Sequence, residues 1–213
     1  MQFKGWKFVG AALLAGSAAT SFAAPLVLKD SLSLTSNGWY SVVSTSQHLA
    51  YRISNAAGDV AVNQVTLAVR LAVGGSGWPS VEVCSDGAGG TSPNLSDCTA
   101  FTPLDPVTNA FGPVRFQGSK TFSAGQAVWV VSKSMVPAND FYWATGPGPV
   151  GRYSPDSGAT WIASTEDFAL RVDAEPVVAT PPTAVPTLSE LGLLIMTLLV
   201  AASARVFLSR RQA

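Results

Sequence analysis

The chain has 213 residues, with 13 Lys and Arg balanced by 13 Asp and Glu, a single His, and a charged share of only 12%. Without a basic surplus there is no surface for a phosphate backbone, so nucleic acid is excluded as a partner. An apolar share of 47% is too high for a disordered chain, while 19 Gly and 14 Pro beside abundant Ser, Thr and Val describe short strands joined by tight turns.

In chain order, Lys4 and Lys7 precede an apolar run, Phe8 to Ala19, that is short for a bilayer but has the length of a signal-peptide core. Ser21 and Ala23 are the small residues that a signal peptidase reads, and a cut one residue later would leave Pro25 next to the scissile bond. Residues 1–23 are therefore expected to be an N-terminal signal helix cleaved between Ala23 and Ala24, the alternative being an uncleaved anchor. Residues 24–174 then form one domain of the usual size for a single core. From Ala24 to Thr180 there are 8 Lys and Arg against 12 Asp and Glu, a net −4, so the exported part is mildly acidic.

Within the domain, His48 is the only histidine and lies at a strand edge. No Gly-x-Ser-x-Gly elbow, zinc-binding helix or phosphate loop accompanies it. Val65, Leu67, Val69 and Leu71 alternate with Thr66, Ala68 and Arg70, the period of a strand with one buried face, and Val81-Glu82-Val83-Cys84 repeats the pattern. Ala127 to Val131 is apolar on both faces and should sit mid-sheet with something packed on each side. Asp167 to Asp173 alternates again, with Phe168, Leu170 and Val172 on one face, and reads as the final strand. Glu166 and Asp167 are neighbours on opposite faces of it and cannot share one substrate bond. With Gly- and Pro-bearing breaks between the runs, the expectation is an all-β fold, a single antiparallel sandwich of jelly-roll type. No catalytic constellation is expected, and no cofactor or metal.

Cys84 and Cys98 are the only cysteines, an even number in an exported domain, and are expected to pair across a segment rich in Gly, Ser and Asp. Two separate thiols remain the alternative, since spacing does not show that the Cβ atoms approach. Asp86, Asn94 and Asp97 in that segment could offer oxygens to calcium, but their spacing is that of turn residues bonding local backbone. Trp78, Tyr142, Trp143, Tyr153 and Trp161 lie in or beside loops, where flat rings could stack on an extracellular polysaccharide. The same rings could instead plug the ends of the sandwich.

The order of features from Gln64 to Val172 resembles the R-type choice-of-anchor family of extracellular domains. The likeness rests on Val81-Glu82-Val83-Cys84-Ser85-Asp86-Gly87 before a Gly- and Pro-bearing loop, on a Phe122-to-Val131 strand segment, and on Phe141-Tyr142-Trp143 and Trp161. It implies a β-sandwich displayed by a surface-attachment tail, in a family with no established activity.

Residues 175–184, rich in Pro, Val, Ala and Thr, read as a stiff stalk, because prolines fix φ and cannot donate to a ladder. Residues 185–213 follow: Val185-Pro186-Thr187-Leu188-Ser189-Glu190-Leu191-Gly192, an apolar stretch to Ala204, then Arg205, Arg210 and Arg211. The uninterrupted apolar part is about 21 Å of helix, short of a bilayer core, and continuing it to Leu208 closes the gap if Arg205 snorkels to the headgroups. A transmembrane helix is accordingly expected over 191–208, with its arginines inside. This tail resembles the IPTL-CTERM sorting signal, a relative of PEP-CTERM tails, with Val185 in place of Ile and Leu191 in place of Trp. The resemblance implies a Gram-negative cell and an exosortase-like membrane enzyme that removes the helix, after which the protein passes to the cell surface or its matrix. The expected function is that of a surface-anchored or matrix-associated structural protein, with a polysaccharide-binding adhesive module as the alternative.

Overall fold

The computed structural model describes residues 24–33, 39–55, 58–72, 77–134, 140–148, 151–177 and 188–210. The expected signal helix up to Ala23, residues 178–184 of the stalk, and Val185, Pro186 and Thr187 of the tail motif lie outside them. The chain divides into two compact units, 1–177 and 178–213.

The described residues of the first unit form thirteen strands. These are β1 Leu26–Asp30, β2 Trp39–Val43, β3 His48–Ser54, β4 Val60–Leu71, β5 Ser80–Asp86, β6 Pro93–Pro103 and β7 Gly112–Phe122, then β8 Ala127–Lys133, β9 Phe141–Pro147, β10 Gly151–Ser154, β11 Ile162–Ala163, β12 Glu166–Phe168 and β13 Leu170–Pro176. Every pairing is antiparallel, along the path β1-β13-β4-β7-β6-β5-β8-β3-β10-β11, while β9 branches from β4 and carries β2 and β12. The all-β expectation therefore holds, but the ladder is one curled sheet rather than two separate ones. β6 causes this, pairing with β5 through Phe101 and then with β7 through Thr102 and Pro103 alone.

The curl wraps one core. Val65, Leu67 and Val69 of β4, Leu170 and Val172 of β13 and Phe116 of β7 meet Tyr51 of β3, Val81 and Val83 of β5 and Val128 and Val130 of β8. Phe168 spans the halves, stacked on Trp143 with centroids 4.7 Å apart and tilted against Tyr51 at 6.4 Å.

Two expected strands come out differently. The second face of β4 is not solvated, because Thr66 and Ala68 are buried and Ala68 packs with Ala144, Ala169, Leu32 and Phe111. The expected final strand is broken at Ala169, so that β12 pairs with β9 and β13 with β4. Ala169 donates its N–H to the Ala144 carbonyl, and its own carbonyl accepts from the Ala68 N–H and from Trp143 Nε1. Three backbones converge there, and small side chains at 68, 144 and 169 make room for them. Ser31 closes the break, its hydroxyl 2.7 Å from the Phe168 carbonyl. β13 also runs on through Glu175 and Pro176, opposite Ala61 and Val60, two residues into the segment expected as stalk.

In the second unit the described residues form one helix, α1 Leu188–Arg210, of 23 residues. Its apolar side chains are spread around every side rather than along one stripe. Among the described residues, no helix is long and apolar enough to cross a membrane, so the expected transmembrane span 191–208 is not found.

Candidate functional site

Cys84 and Cys98 are disulfide-bonded. They face each other across the β5–β6 ladder with Cα atoms 4.1 Å apart, the close, non-hydrogen-bonded kind of antiparallel pair. The intervening segment is thus a hairpin stapled at mid-strand, with a register shift between Cys84 and Asp86, not a free excursion. Cys84 also pairs with Trp129 of β8, and Trp129 with Arg52 of β3, which sets all three on the outer face of the curl. There a second apolar cluster forms from Ala50, Cys84, Trp129 and Val131, with Cys98 and Trp161 over it.

The oxygens of the hairpin are engaged one by one. Asp86 receives Arg52 Nε at 3.2 Å and Nη2 at 3.1 Å, and Trp129 Nε1 at 2.5 Å. Burial raises the Asp86 pKa, but the Arg52 and Trp129 hydrogen bonds outweigh it and hold the carboxyl below its ordinary range. Asp97 accepts from Lys120 Nζ at 2.7 Å and from the Ser85 hydroxyl, and Asn94 Oδ1 accepts from the backbone and hydroxyl of Ser96. These are the bonds of an ion-paired surface and of a local turn. Glu82 with the two cysteines is a three-residue group of metal-ligand type, but both sulfurs are spent in the disulfide and Glu82 Oε1 accepts from Lys133 Nζ at 2.6 Å.

His48 opens β3 opposite Ser154 and is buried, with Nδ1 lacking a partner among the described residues. The segment after β10 crosses over it. Asp156 ties that segment by accepting from Ser154, from the Thr160 hydroxyl and from the Thr160 N–H, and Gly158 passes so close that a Cβ there would lie 2.4 Å from Leu95. Burial, and next to it the positive charge of Lys133, keep His48 below its ordinary pKa. Glu166 accepts a hydrogen bond from the Ser41 hydroxyl while Asp167 pairs with Lys29 at 3.6 Å, so the adjacent carboxylates serve different partners.

The five candidate aromatics do not share a surface. Trp143 is wholly buried beneath Phe168. Tyr142 holds the Arg70 guanidinium 4.7 Å from its centroid, and Arg70 also lies over Phe111. Trp161 packs on the disulfide cluster. Trp78 is 51% exposed and donates Nε1 to the Asp105 carbonyl at 2.9 Å.

Tyr153 lines a cleft, an open cavity of about 340 Å³ at one mouth of the curl. One wall comes from Gln47, Leu49 and Tyr153, the other from Ser41, Glu166 and Phe168, with Ala163, Ser164 and Thr165 at the rim. Gly151 lets the walls meet, since a Cβ there would lie 2.6 Å from the Glu166 carbonyl and 2.9 Å from the Phe168 ring. Apart from Tyr153, sequence reasoning did not connect these residues, because no spacing links β2, the β2–β3 turn and β12.

In the tail, Leu188, Ser189, Glu190, Leu191 and Gly192 of the sorting motif form the first turns of α1. No curated protein matches the chain. Residues 183–212 match the IPTL-CTERM motif, whereas no family match accompanies the choice-of-anchor resemblance of the domain, so the chain carries an IPTL-CTERM sorting signal on a β domain of unassigned family.

Proposed function

We propose that this chain is exported, cleaved by signal peptidase between Ala23 and Ala24, held at the inner membrane of a Gram-negative cell by its tail, and then processed by an exosortase-like enzyme. The β domain is thereby displayed on the cell surface or in its matrix as a structural component without enzymatic activity. The observation that carries this reading is the IPTL-CTERM motif at residues 183–212, which spans α1 and includes Arg210 and Arg211 at its end. Apolar residues on every side of α1 support a lipid environment, with Arg205 snorkelling to the headgroups. The resemblance to choice-of-anchor domains supports a sandwich-like display module. The absence of a role in catalysis is supported by a His48 buried under the 154–160 segment and by the divergence of Glu166 and Asp167.

The test is the intact mass of protein extracted from the cell surface. The mature species should begin at Ala24 and lack α1, and Leu191→Trp should lower the fraction left at full length in the inner membrane. Finding only species that end at Ala213 would show the tail to be a plain anchor.

A further inference from the structure

The cleft at the mouth of the curl opens from the edge of the core, with Leu49 and Phe168 at its base. Its lining combines one ring with unspent polar groups of both kinds. Glu166 uses Oε2 for Ser41 and leaves Oε1 open. Neither the Gln47 side-chain amide nor the Tyr153 hydroxyl takes a partner among the described residues. The Ser164 hydroxyl accepts the Glu166 N–H at 3.0 Å and keeps its own proton to donate. Tyr153 packs on the core while lining the cavity, so its ring is held in place. The volume, about 340 Å³, lies at the small end of ligand pockets.

A ligand suited to this lining needs hydroxyls that both donate and accept, around a compact ring with an apolar face to lie on Tyr153. It should also carry no negative charge, because the lining holds the Glu166 carboxylate and no cation. A neutral sugar ring meets these demands. We propose that this cleft binds one neutral hexopyranose unit of a polysaccharide, with its ring face on Tyr153 and its hydroxyls on Gln47, Glu166 and Ser164. The walls are formed in advance by Gly151 and Phe168, which spares the ligand the cost of ordering them. The inference goes beyond surface display and stands whether or not the tail is processed.

The test is saturation-transfer NMR on the full chain, kept in a detergent without a sugar headgroup. The probes are methyl glycosides of glucose, galactose, mannose and N-acetylglucosamine, with methyl glucuronide as the anionic control. At least one neutral glycoside should bind with a dissociation constant in the millimolar range, about −4 kcal/mol for one small ring, and the glucuronide should not. Tyr153→Ala and Gln47→Ala should each weaken binding about tenfold or more, while Trp78→Ala, outside the lining, should leave it unchanged. Unfolding midpoints of the variants, measured alongside, separate lost contacts from lost fold. Gln47→Glu gives a second check, since it adds a charge without removing bulk and should abolish binding. Absence of saturation by every neutral glycoside up to about 50 mM would overturn the proposal, as would equal binding of the glucuronide or full binding by folded Tyr153→Ala and Gln47→Ala chains.

Discussion

Removing the disulfide by Cys84→Ala with Cys98→Ala tests how the β5–β6 hairpin is held. The two cysteines are 14 residues apart, and releasing that loop in the unfolded chain costs about 3 kcal/mol of stability by loop-closure entropy. Cys84 is fully buried beside Ala50, Trp129 and Val131, and the small void left by its sulfur adds about 1 kcal/mol. The hairpin should nevertheless persist, because β5 is also paired along its other edge to β8 from Ser80 to Cys84. Urea unfolding of a chain ending at Val177, where the first unit ends, should therefore remain cooperative with its midpoint lowered by about 2 M, taking a slope of about 2 kcal/mol per M. Tryptophan emission is the probe, since Trp129 lies against the bridge. A midpoint within about 0.5 M of the parent would refute the bridge's contribution, and loss of the cooperative transition would refute the claim that the ladders hold the hairpin without it.

Phe168→Ala should cost about 3 to 5 kcal/mol in the same assay, because its buried ring joins Trp143 to Tyr51 across the two halves of the curl; a cost under about 1 kcal/mol would refute that bridging role. His48 predicts a pH dependence. Its folded pKa lies below the ordinary 6.5, so on acidification the unfolded chain takes up a proton before the folded one does, and stability falls as pH drops from 6.5 toward the folded value. His48→Gln should flatten that slope below about pH 6.5, and an unchanged slope would assign it to other groups.

What the sequence settled by itself is local or linear. The alternation of Val65, Leu67 and Val69 and of Phe168, Leu170 and Val172 placed those side chains on one face and in the core, because a strand's period of two sets them together, while the burial of Thr66 and Ala68 on the other face of β4 was not legible. The doubly apolar run at β8 correctly implied covered faces on both sides, and the tail motif was readable because it is contiguous. β6 and β7 were not legible as strands, since neither shows a clear apolar alternation; in β6 only Pro93 and Phe101 are buried, and its extended form comes from the ladder with β5. The break at Ala169 was hidden for a related reason. Alternation continues straight through it, and only the competition of β4 and β9 for the same chain splits the strand. The fate of the aromatics was likewise tertiary. Trp143 is buried and Tyr153 lines a cleft because of what the curl brings opposite each ring, and Gln47, Ser41 and Glu166, distant in sequence, become neighbours only when the sheet closes on itself.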